Sequence, residues 1–144
     1  MYGLKAIAQR LYSLLSSAPA LSGVRWYYGR IVPDEAASFP SGYVTGLGSP
    51  GGERYRELPR GQELRWVCEV WLGTRSQSGM GPAEDQILDL VDAVFGVLAA
   101  DPTMGLANVV STQPELGSVS TSSNPEAGAY AEALIRVTVQ ALPV

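Results

Sequence analysis

The chain has no histidine, a single cysteine (Cys68) and a single lysine (Lys5). Without histidine it lacks the commonest general base, the commonest metal ligand and the usual activator of a nucleophilic serine or cysteine. One cysteine can form neither an internal disulfide nor a metal-ligand cluster, and within an apolar strand it reads as a small buried residue. Serines are plentiful, but none lies in G-x-S-x-G, and Ser–Lys chemistry would rest on Lys5 alone. These absences predict a protein that is not an enzyme and holds no metal or cofactor.

Two further things are missing. No uninterrupted apolar run approaches the length of a bilayer span, and the N-terminus reads as a helix rather than an export signal. The expectation is a soluble chain, made and used in the cytoplasm, with no membrane partner. An excess of positive charge is missing too: the formal net charge is −4, which argues against broad binding to nucleic acid.

What is present suits one globular domain over 1–144, with 46% hydrophobic and 17% charged residues. Residues 3 to 17 place Leu4, Ile7, Ala8, Leu11, Leu14 and Leu15 at helical spacing. "VRWYYGRIV" (24–32) is aromatic and β-branched and predicts a strand, with Gly29 marking a bulge or a close backbone approach. A short strand follows around Tyr43 and Val44. The glycine-rich segment 46–61 reads as an extended hairpin arm between two antiparallel strands. A helix is predicted from Pro82 at its first position to Asp101-Pro102, with Ile87, Val91, Val94, Phe95 and Leu98 as its apolar stripe. A strand over 106–112, a mobile polar loop over 113–128 and a closing strand "YAEALIRVTVQAL" complete the order. The sum is an α+β fold: an antiparallel-rich mixed sheet with two main helices on one face, plus the arm.

The strand "LRWVCEVWL" (64–72) raises a specific question. Leu64, Trp66, Cys68, Val70 and Leu72 share one face, yet the opposite face, where a half-buried strand should be polar, carries Val67 and Trp71. One answer is that a neighbouring copy covers them, with Trp71 as the anchor. The other is that the N-terminal helix or the loop before Tyr43 does so.

Other groups invite functional readings. Gly46, Gly48 and Gly51 match G-x-G-x-x-G, but Pro50 interrupts it and "ERYRELPRG" is no helix start, so a hairpin tip fits better than a dinucleotide site. Arg54, Arg56 and Arg60 alternate with Glu53 and Glu57, which suits a contact with another protein surface or a solvated loop better than a nucleic-acid groove. Asp85, Asp89 and Asp92 form an acidic helix stripe without calcium-loop geometry. They read as a solvated face or as a charged contact with arginines of another subunit.

Taken together, the helix "LKAIAQRLYSLL", the strand "VRWYYGRIV" leading into "VPDEAASFPSGYV", the strand "RWVCEVWLGT", the helix "AEDQILDLVDAVFGVL" and the closing strand "YAEALIRVTVQ" resemble the bacteriophage tail terminator family, also called tail-completion or head–tail joining proteins. Phe39-Pro40 just ahead of Tyr43-Val44 is the most characteristic local part. The resemblance implies a virion protein at the head-proximal end of the tail. It implies a ring of six copies that caps the polymerised tail tube and meets a neck or head-completion protein. DNA would pass through the hole without specific binding, and no cofactor or catalysis is implied. Another phage neck or connector ring is the nearest alternative. A small-ligand binding domain using the arm as a lid is an alternative of a different class.

Overall fold

The computed structural model describes residues 2–32, 38–47, 63–124 and 128–144. Arg54, Arg56 and Arg60, and all of the arm beyond Leu47, lie outside the described residues. The element order is α1 (Leu4–Ser16), a 3-10 turn (Pro19–Leu21), β1 (Arg25–Tyr28), β2 (Ser41–Thr45), β3 (Leu64–Ser76), α2 (Met80–Ala100), β4 (Val109–Asn124) and β5 (Gly128–Ala141). The strands form one sheet in the order β1-β2-β3-β5-β4; β1 pairs parallel to β2 and the other pairs are antiparallel. This is an α+β fold built on a mixed sheet. β2 and β3 are antiparallel neighbours, so the 46–61 segment does connect an antiparallel pair.

The two strong periodicities decide the architecture. On β5, Ala129, Ala131, Ala133, Ile135, Val137, Val139 and Ala141 are buried while their alternates are half-buried. On β3, Leu64, Cys68, Val70 and Leu72 face the same way. Both helices lay their apolar stripes on that face: Ile7, Leu11 and Leu15 from α1, and Ala83, Ile87, Val91, Val94 and Leu98 from α2, all in one core with Val44 and Ile135. α1 covers β1 and β2; α2 covers β3, β5 and β4. At the start of α2 the Thr74 hydroxyl donates to the Ala83 carbonyl at 2.9 Å, so the helix sits close to the sheet there. Arg10 Nε donates to the Met104 carbonyl at 2.7 Å and ties α1 to the segment that follows α2.

Several boundaries differ from the sequence reading. α2 begins at Met80, so Pro82 is its third residue and Glu84 and Asp85 fall past the first turn. β1 ends at Tyr28, because Gly29 takes φ 94° and turns the chain away while its N–H still donates to the Val44 carbonyl at 2.8 Å. β3 runs on to Ser76.

The largest correction concerns the expected mobile loop over 113–128. Residues 113–124 belong to β4, paired along their length with β5 through bulges near Val110 and Gly117. Its residues 115–123 are exposed on both faces. An edge strand with no covered face needs no alternation of its own, since its register comes from the neighbour's ladder. The bulge at Gly117 has a local cause: a Cβ there would meet Arg136 Nη1 at 2.9 Å and the Leu134 carbonyl at 3.1 Å.

Candidate functional site

The sheet face turned away from the helices was expected to carry function, and its centre is Trp71. β2 sets Tyr43 beside it on one side and β5 sets Leu134 on the other. The Tyr43 and Trp71 rings stack with centroids 5.5 Å apart and planes 15° from parallel. Trp71 Nε1 donates to Glu132 Oε2 at 3.0 Å. The same carboxylate accepts the Tyr130 hydroxyl at 2.9 Å and, through Oε1, the Ser120 hydroxyl at 3.2 Å. Next along β3 is Gly73, where a Cβ would lie 2.6 Å from Trp71 Cη2 and 3.2 Å from Phe39 Cε1. Glycine at 73 therefore provides the floor on which the indole lies.

These contacts leave Trp71 only 5% exposed. The expectation that a single chain leaves Trp71 uncovered is corrected: β2, Glu132 and the Gly73 floor cover it. The loop before Tyr43, named as one possible cover, contributes through Phe39, which also meets Tyr130 edge-on at 5.8 Å and lies under the Arg75 guanidinium at 4.5 Å. The Phe39-Pro40 peptide bond is cis. Val67 behaves differently. It is half-buried, it stands opposite Thr138, and it lies beyond Thr45–Glu69, the last pair of β2 with β3.

A second polar group lies beside this one. Glu69, 1% exposed, pairs with Arg30 Nη2 at 2.6 Å, and the same guanidinium nitrogen reaches the Leu47 carbonyl at 3.4 Å. Glu69 Oε2 has no hydrogen-bond partner among the described residues. Burial is the main cause that pushes the Tyr43 hydroxyl above its ordinary pKa; the Glu69 and Glu132 carboxylates add to the rise and Arg30 opposes it. Burial alone pushes the Cys68 thiol up to about 12, so it stays protonated and inert at neutral pH.

Two shallow hollows flank these groups. One, of about 240 Å³, is lined by Ile31, Tyr43, Trp71, Glu132 and Leu134. The other, of about 360 Å³ and mostly apolar, lies on the helix side between Leu4, Ala8, Tyr28, Leu47 and Trp66. Every oxygen of Glu132 that borders the first is already engaged by the chain's own donors. Both Glu132 oxygens are thus committed to Trp71, Tyr130 and Ser120.

Asp85, Asp89 and Asp92 are exposed along the outer face of α2, on the opposite side of the molecule from Trp71. The structure thus does not bring the acidic stripe and the Trp71 face together. No group of three potential metal-ligating side chains occurs among the described residues. No helix among them is long and apolar enough to cross a membrane.

Sequence reasoning missed Tyr43, Gly73, Glu132 and the Arg30–Glu69 pair. One signal was present: a glycine two residues after a tryptophan on the same strand face leaves room for the ring to lie down. Which residues of β2 and β5 flank it depends on register, which a single sequence does not carry. No protein-family model and no curated protein matches the chain.

Proposed function

We propose that this chain is a structural virion protein of the tail-terminator kind, six copies of which close a ring on the end of a phage tail tube, stop its growth and join it to the neck of the head. The observation that carries this reading is the element order. The helix α1, the strands β1, β2 and β3, the helix α2 and the closing strand β5 fall on the segments whose sequences resemble that family, and β4 is an addition to them. The open sheet adds support, because its two edges are different strands and a cyclic ring needs two different patches per subunit. The tail tube protein and a neck or head-completion protein are the partners, and DNA threads the hole without being read. No catalytic step and no cofactor enters this role.

The test is assembly. Purified protein, alone and mixed with polymerising tail tube protein, is weighed by native mass spectrometry and imaged by electron microscopy. The expected result is a six-membered ring and tubes of limited length capped at one end. A chain that stays monomeric and leaves tube growth unchanged overturns the reading. Capture by portal protein instead of tube protein would reassign it to another neck ring.

A further inference from the structure

The two edges of the sheet differ in length, charge and protection. β4 is a 16-residue edge strand. Natural sheets guard such edges with charge, proline and bulges. The first half of β4 has Pro114, Glu115 and both bulges, whereas the half from Ser118 to Asn124 has no charge, no proline and no bulge. On the helix side of β4, Leu116 and Val119 are 44% and 38% exposed. The opposite edge is β1. Arg25 and Gly29 donate toward β2, to the Pro40 and Val44 carbonyls, and strand alternation turns the amides of Trp26 and Tyr28 outward. Tyr28, on the helix side, is 49% exposed.

The edges also complement each other. β1 runs parallel to β2, and three successive antiparallel pairings then leave β4 antiparallel to β1. A rotation about an axis along the strands preserves direction, so β1 of one copy meets β4 of the next in antiparallel sense. The helix-side residues Trp26 and Tyr28 then fall on the same face as Leu116 and Val119. Arg25, the only charge on β1, falls on the same face as Glu132, which stands on β5 opposite Ser120 in the uncharged half of β4, whereas Glu115, the only charge on β4, stands opposite Arg136.

From this juxtaposition we propose that β1 of one copy pairs with the Ser118–Asn124 half of β4 of a second copy, so that neighbouring sheets join edge to edge. The pairing rests on the ring reading above and specifies its subunit contact. It differs from the contact expected from the sequence, since the strand edges and not the Trp71 face are joined.

Two experiments test it on the full chain. The first is cross-linking under mild oxidation of Arg25→Cys combined in turn with Ser118→Cys, Ser120→Cys or Ser122→Cys, with Arg25→Cys/Glu84→Cys as control. One of the three combinations should give a covalent ladder ending at the ring mass, and the control should give none. The second is Val119→Lys/Thr121→Lys, which charges the exposed strand without touching the core. Its thermal melt should be unchanged, while the concentration at which the oligomer forms should rise by about tenfold or more, as one unfavourable contact of ordinary size demands. A wild-type ring with no ladder, and with assembly unaffected by the lysines, overturns the edge pairing and leaves the ring reading standing. A wild type that forms no ring, alone or on tail tubes, overturns both.

Discussion

The indole of Trp71 occupies the space that a side chain at position 73 would need: a Cβ on Gly73 would come within 2.6 Å of Trp71 Cη2 and 2.7 Å of Cζ2. The two positions are one packing unit, with Tyr43 as the roof and Glu132 as the polar wall.

Trp71→Ala should therefore destabilise the monomer. Removing a buried aromatic of this size costs about 3–5 kcal/mol, read as a shift of the urea midpoint at unchanged slope. Gly73→Ala should cost about 1–3 kcal/mol by overpacking. Combined, the two should cost less than their sum, because the alanine at 73 no longer meets an indole. Additive losses would show that the contact is not shared.

The Arg30–Glu69 pair should behave as a half-solvated ion pair. Glu69 is buried, but 44% of the Arg30 side chain is exposed. Arg30→Ala leaves a buried carboxylate without its cation and should cost about 1–3 kcal/mol, below the range for fully buried pairs. Arg30→Ala/Glu69→Leu should recover most of that loss. An Arg30→Ala melt equal to wild type would mean that solvent alone satisfies Glu69.

Alkaline pH should weaken the fold. Burial pushes the folded Cys68 thiol from its ordinary 9.0 up to about 12. The folded state therefore holds a proton that the unfolded chain gives up above pH 9. The stabilisation is fully present below that pH and is lost as pH rises toward the folded value. Tyr43, raised above 10.0 by burial, acts in the same sense. Unfolding free energies measured between pH 7 and pH 11 should decline above about pH 9, and Cys68→Val should remove the cysteine's share of the slope. The thiol should also resist a thiol-specific reagent at pH 8 until denaturant is added.

The acidic stripe should be dispensable for folding. Asp85, Asp89 and Asp92 are exposed on α2. Changing all three to Asn should move the melting midpoint little, each substitution staying within about 0.5 kcal/mol. A loss of assembly with an unchanged melt would mark the stripe as a contact with another subunit.

The legible parts of the fold were those where one face is dry. β5 alternates cleanly because helices cover one side of it, and both helices show their stripes for the same reason. β4 was hidden because exposure on both faces erases alternation; "SVSTSSN" is a strand through β5's hydrogen bonds, not through its own pattern. At the site, the anomaly of Trp71 on a nominally polar face was visible. Its resolution was not, because Tyr43 and Glu132 reach it from strands 28 and 61 residues away in sequence, in a register that only the folded ladder sets.

The buried side chains of β5 run from Ala129, Ala131 and Ala133 to Ile135, Val137 and Val139. The small end lies beside Thr74, which pairs with Ala131 and holds the start of α2 through the Ala83 carbonyl. Three alanines thus keep that end of the core small, and a bulkier residue at Ala131, which is fully buried, would overpack it.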